Sequence, residues 1–143
     1  MKVYVASSWR NEGKCILLAE LLRTWGHDVY CFCEKNKGHK SVNLVEELGW
    51  QKIDEINPIQ FLMFSNVREM YEQDKAAIEW ADELVLVLPS GLGSHLEAGY
   101  AKGLGKKLVI YGPMCSGRVE TMYGFADALI QEGELGALRV ELE

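Results

Sequence analysis

Residues 83–97 read ELVLVLPSGLGSHLE, and the fold turns on them. Glu83 to Leu88 is a continuous apolar run without period-two alternation, the pattern of a strand covered on both faces, and Pro89-Ser90-Gly91 ends it. Strands covered on both faces belong to parallel sheets, whose neighbours are joined by helical crossovers. The flanking sequence supplies such crossovers. Upstream, Val67, Met70, Tyr71, Ala77, Ile78 and Ala81 mark one stripe of a helix over 66–81. Downstream, a helix begins near Ser94 and leads to a strand over Lys107 to Tyr111, ended by Gly112-Pro113. Within that helix, Gly99, Ala101 and Gly103 suggest a close approach to the sheet.

The same alternation extends to both ends. Lys2 to Ala6 reads as a strand running into polar Ser7-Ser8, Arg10 to Trp25 as a helix stopped at Gly26, and Asp28 to Phe32 as the next strand. Pro58 suits the first turn of a short helix to Phe64. A fifth strand is expected around Ala126 to Ile130, followed by a helix from Glu132, with the terminal Leu142-Glu143 given no structural weight. The class is therefore α/β: a single domain over 1–143, doubly wound around a mainly parallel five-stranded sheet in flavodoxin-like order 2-1-3-4-5. The segment 33–57 is longer than a connecting loop usually is, and a substrate-facing lid is the expectation for it.

Composition narrows the partners. A formal net charge of -6 with no basic stripe argues against binding a nucleic-acid polymer, although a small anion can still be held locally. No apolar run reaches the roughly 18 residues of a membrane span, and Met1 runs directly into a β-like segment, so a cytoplasmic location is expected. Cysteines at 15, 31, 33 and 115 and histidines at 27, 39 and 95 show no metal-like spacing, and neither metal nor other cofactor is expected. Cys31 and Cys33 share a side of their strand and read as core or site wall.

In open parallel sheets, ligands bind beyond the carboxyl ends of the strands. Three polar loops fall there: Ser7-Ser8-Trp9-Arg10, Ser90 to Ser94, and the stretch to Ser116-Gly117-Arg118. Their hydroxyls, exposed backbone N–H groups and two arginines suit a phosphate. Neither a dinucleotide glycine fingerprint nor a Walker motif is present.

Glu97 has two readings. Ser94-His-Leu-Glu97 matches a capping box, which requires no chemistry, while a carboxylate in a first helical turn facing the strand ends also suits a nucleophile. Asp74 falls on the apolar stripe of its helix, where a carboxylate needs a partner or a task. Two carboxylates are the usual requirement for cleaving a glycosidic bond through a covalent intermediate. Tyr4 reads as a buried aromatic or a pocket wall, and His95 as an exposed structural or base-contacting residue.

VYVASSWRN, DKAAIEWADELVLVLPSGLGSHLEAGYAKGLGKKLVIY and the later SGR together resemble the nucleoside 2-deoxyribosyltransferase superfamily, most closely the 2′-deoxynucleoside 5′-phosphate N-hydrolase group. That resemblance spans Lys2 to Asp127 and implies Glu97 as nucleophile and Asp74 as the substrate-orienting carboxylate. It further implies phosphate contacts at Ser8, Arg10, Ser90 and Ser116, a pocket tyrosine at Tyr4, and a homodimer in which a neighbour completes the site. Two departures stand out. The transferases' second aspartate, a few residues before the glutamate, is missing from Ser90-Gly91-Leu92, and the spacing from Ser90 to Glu97 is a residue longer than in the hydrolases, which makes Ser94 an alternative phosphate ligand. The expected activity is an N-glycosidase acting on a (2′-deoxy)nucleoside 5′-monophosphate. The alternatives are transfer of the sugar between bases and, in a different class, a nucleotide-binding sensor without turnover.

Overall fold

The computed structural model describes residues 1–34 and 55–143, so the expected lid over 33–57 lies almost entirely outside the described residues. The chain runs β1 (Lys2–Ala6), a 3-10 turn (Trp9–Asn11), α1 (Glu12–Thr24), β2 (Asp28–Cys31), α2 (Pro58–Phe61), α3 (Ser65–Trp80) and β3 (Glu83–Val87). It continues through α4 (Leu92–Gly103), β4 (Lys107–Gly112), a second 3-10 turn (Thr121–Phe125), β5 (Ala128–Gln131) and α5 (Leu135–Glu141). All strand pairs are parallel and the order is β2-β1-β3-β4-β5.

Strand side chains alternate between two faces, and each face builds its own core. Val3, Val5, Val85, Val87 and Val109 pack with Leu18 and Leu22 of α1 and with Leu138 and Leu142. Tyr4, Ala6, Leu84, Leu86, Leu108 and Ile110 pack on the other face with Ala77 and Ile78 of α3 and Ala98 and Ala101 of α4. Each fully buried Val or Leu contributes about 1.5–3 kcal/mol of burial, so the faces are strongly specified. That assignment puts Tyr4 on the side of the sheet that α3 and α4 cover.

Several expectations need correction. Leu142, discounted from the sequence, is fully buried. Arg10 to Trp25 is not one helix: a 3-10 turn capped by Ser8 comes first, because the Ser8 hydroxyl accepts from the Arg10 N–H and diverts the chain. The short helix ends at Phe61 rather than Phe64. Gly99 and Gly103 have open space where a Cβ would be, so only Ala101 serves the close approach of α4 to the sheet. Among the described glycines, the one that close packing does require is Gly112, where a Cβ would stand 2.6 Å from the Leu88 Cβ.

The capping box is also absent. Helix α4 starts at Leu92 with Gly91 as its N-cap and no side-chain cap, and the Ser94 hydroxyl donates to the Gly91 carbonyl at 3.1 Å. Moving the N-cap three residues back, from Ser94 to Gly91, puts Glu97 in the second turn, away from the orphan N–H groups of the first.

Candidate active site

The loops at the carboxyl ends of β1 and β3 are fastened together. Ser7 donates its hydroxyl to the Val87 carbonyl at 2.7 Å, and the Asn11 amide donates to Ser7 Oγ at 2.9 Å and to the Pro89 carbonyl at 2.5 Å. These bonds hold the start of α4, and hence Glu97, in a fixed relation to β1.

Glu97 and Asp74 face one another across the α3–α4 cleft, lining a cavity of about 430 Å³ with Val67, Met70, Tyr71 and Leu96. Burial pushes the Glu97 carboxyl up to about 7, the Asp74 charge adds to the rise, and contact with the Tyr4 hydroxyl opposes it. Asp74 is raised by burial and pulled back by a hydrogen bond from Tyr30, whose hydroxyl donates to Oδ1 at 2.8 Å. Lys75 lines the same cavity, but its ammonium is paired with Glu79 at 2.5 Å. Among the described residues, no cation is paired with either site carboxylate.

Tyr4 is fully buried, and its hydroxyl meets no partner with good hydrogen-bond geometry among the described residues. Burial, followed by the charges of Glu97 and Asp74, pushes this phenol well above its ordinary range. A buried O–H without a firm bond beside a carboxylate is free to donate to an oxygen brought into the cavity. Tyr30 stacks on Tyr4 with ring centroids 5.1 Å apart. Nothing in the sequence separated Tyr30 from an ordinary strand aromatic; its role follows only from the alignment of β2 beside β1.

The anion-binding candidates are distributed differently. Ser90 and Arg118 line a second cavity of about 630 Å³, together with Tyr123 and Glu120, at the ends of β3 and β4. The loop that leads into α4 lines this second cavity through Pro89 and Ser90, while Gly93 and Glu97 of α4 itself line the first. Arg10 and Ser116 are exposed, and Ser8 is half-buried with its hydroxyl accepting the Arg10 N–H. Ser94 is buried, and its hydroxyl proton is already given to Gly91.

His95 is half-buried rather than exposed. Its Nδ1 bonds the Gly91 carbonyl at 2.7 Å and its Nε2 lies 3.0 Å from the Tyr123 hydroxyl, so the ring struts the second 3-10 turn against the β3–α4 loop. Cys31 and Cys33 are buried with their sulfurs 3.4 Å apart. No group of three metal-ligating side chains occurs among the described residues, and no helix there is long and apolar enough to cross a membrane.

No protein-family model matches the chain, and no curated protein does. Solved structures do. A 2-deoxyribosyltransferase from Bacillus psychrosaccharolyticus superposes with a TM-score of 0.66 at 19% identity, over 97% of this chain and 90% of that one. A Clostridium botulinum CMP N-glycosidase superposes at 0.59 and 18% identity over 99% and 97%. A conserved Enterococcus faecalis V583 protein does so at 0.59 and 15% over 99% and 96%. The chain thus shares its α/β fold with a 2-deoxyribosyltransferase and a CMP N-glycosidase. The first of these carries the name of the superfamily that the sequence motifs resemble.

Proposed function

We propose that the protein is an N-glycosidase that releases the base from a (2′-deoxy)nucleoside 5′-monophosphate. The observation that carries this reading is the half-buried Glu97–Asp74 pair, lining one cavity with no neutralising cation among the described residues. Two carboxyls so placed keep one proton between them near neutral pH, since burial and mutual repulsion oppose full ionisation.

That proton is what the leaving base needs. It passes from Glu97 to the free Oδ2 of Asp74, and the Glu97 carboxylate then attacks the anomeric carbon of the sugar. The C1′–N bond breaks, its electron pair goes to the base nitrogen, and Asp74 delivers the proton to the base. Water next attacks the glycosyl ester, releasing the sugar phosphate and returning a proton to the pair. The Tyr4 hydroxyl, lacking a firm partner, is positioned to donate to a substrate oxygen. Arg10, Ser8 and Ser90 lie on the two loops that Asn11 ties together, and in this reading they hold the 5′-phosphate with Ser116 and Arg118.

A second copy of the chain is part of the reading. Leu92 and Leu96 of α4 are 86% and 75% exposed, and Tyr71 of α3 is exposed beside the same cavity, a face suited to a homodimer that closes the site. Transfer to a second base uses the same first step and differs only in what attacks the glycosyl ester.

Incubation with ribo- and deoxyribonucleosides and their 5′-monophosphates, following free base by chromatography, tests the proposal. Release by the wild type that is lost in a folded Glu97→Gln supports it. A monophosphate that raises the melting temperature yet remains intact supports the sensor alternative instead.

A further inference from the structure

Tyr30 lies outside every motif that singled out the site, yet among the described residues it makes the well-formed hydrogen bond on Asp74, whereas the Tyr4 hydroxyl only contacts Glu97. Its ring is buried at 8% exposure, it stacks on Tyr4 with planes 12° apart, and its hydroxyl donates to Asp74 Oδ1 at 2.8 Å. Strand β2 supplies it, and the Tyr4↔Tyr30 register pairing fixes it beside the site. We propose that Tyr30 is a positioning residue which holds Asp74 as the ionised member of the carboxylate pair, with Oδ1 occupied and Oδ2 free for the proton.

This rests on the reading of Glu97 and Asp74 as the reacting pair. A phenol O–H favours the anion it donates to, since a protonated acid gains less from the same donor. The groups facing Asp74 are Tyr30 from β2, Tyr4 from β1 and Glu97 from α4, and Lys75 on its own helix is engaged by Glu79. Among the described residues, Tyr30 alone stabilises the Asp74 charge. The Tyr4 hydroxyl meets Glu97 without comparable geometry, so between two half-buried carboxyls the firmer Tyr30 bond places the resting proton on Glu97. It also leaves a defined oxygen on Asp74 to receive the proton when substrate enters.

The test is Tyr30→Phe, which keeps the ring stack and removes only the hydroxyl. Carboxyl ¹³C titration by NMR is followed in wild type and variant, alongside the pH dependence of base release. In the wild type, Asp74 should ionise below Glu97. In the variant, Asp74 should titrate about one unit higher, because its anion has lost a charge-assisted donor. The acid limb of kcat/KM should move up with it, since the singly protonated pair is less favoured against the doubly protonated one. A wild-type titration in which Asp74 is the later group to ionise overturns the proposal without any variant. So does a Tyr30→Phe protein that loses melting temperature while its Asp74 titration stays unmoved, which is the outcome for packing alone. Absence of base release in the wild type counts against the glycosidase reading, and the NMR comparison still decides the role of Tyr30.

Discussion

Tyr4 and Tyr30 are direct partners across β1 and β2, stacked 5.1 Å apart, and each hydroxyl is directed to a different carboxylate. Tyr30 reaches Asp74 on α3, while Tyr4 contacts Glu97 on α4. Parallel pairing thus sets two phenols side by side under two helices, and the same geometry places the two acids opposite one another. The sheet fixes the chemistry of the cleft, and the consequences can be measured.

Glu97 makes the folded protein sensitive to pH. Its folded pKa of about 7 lies above that of an unfolded glutamate, so between about 4.5 and 7 the native state keeps a proton that the unfolded chain has released. Stability therefore falls as pH rises through that window, and the full penalty is present above it. Glu97→Gln carries no such penalty. Chemical denaturation should find the variant more stable than wild type by up to about 3 kcal/mol at pH 8, with the gap closing towards pH 4.5. A gap equal at pH 5 and pH 8 contradicts the assignment.

The same proton sets the rate profile. Base release by the singly protonated pair should give a bell-shaped kcat/KM, with its alkaline limb near pH 7 and a fall of about tenfold per unit beyond it. The limb belongs to the pair, so Asp74→Asn should remove or displace it as well as slow the reaction. A profile flat from pH 6 to 9 would rule out the pair as the proton source.

Arg10 tests the phosphate. It is exposed at the end of a loop fastened to β3, with no other demand on its side chain evident among the described residues. Loss of one charge-assisted contact is worth about 1.5–3 kcal/mol, so Arg10→Ala should raise KM for a monophosphate at least tenfold. Nucleosides lacking the phosphate should be unaffected. An equal loss on both substrates would place Arg10 elsewhere than on the phosphate.

Much of this was legible in advance. The unbroken apolar run at 83–88 and the helical stripe before it carry the fold because burial on two faces leaves a pattern that turn residues bracket. Asp74 stood out for the same reason, as a charge on an apolar stripe. What escaped was geometry settled by local competition: the helix at Leu92 starts early because Gly91 caps it, and the apparent capping box dissolves. Tyr30 escaped because its significance depends on a register between strands that are adjacent in space. Nothing within Asp28-Val-Tyr-Cys31 distinguishes a tyrosine that bonds a carboxylate of the cleft from one that merely fills a core.

Gly112 connects packing to the site. A Cβ there would lie 2.6 Å from the Leu88 Cβ, 2.9 Å from the Leu88 carbonyl oxygen and 3.0 Å from its nitrogen, and two of those three neighbours are backbone. Leu88 cannot withdraw freely, because its N–H donates to the Tyr111 carbonyl at 2.8 Å and its own carbonyl accepts from Lys14 at 3.3 Å. Gly112→Ala should therefore cost about 1–3 kcal/mol, as overpacking in a tight core does. The displaced Leu88 would carry Pro89 with it, loosening the Asn11 bond that ties the two loops. Base release should then fall by more than the loss of folded protein explains. Gly99→Ala is the natural comparison: open space surrounds it, and alanine is favoured in a helix by up to about 1 kcal/mol, so that variant should melt higher than wild type. If both substitutions moved the melting temperature alike, the close approach of β4 to the end of β3 would not be what Gly112 serves.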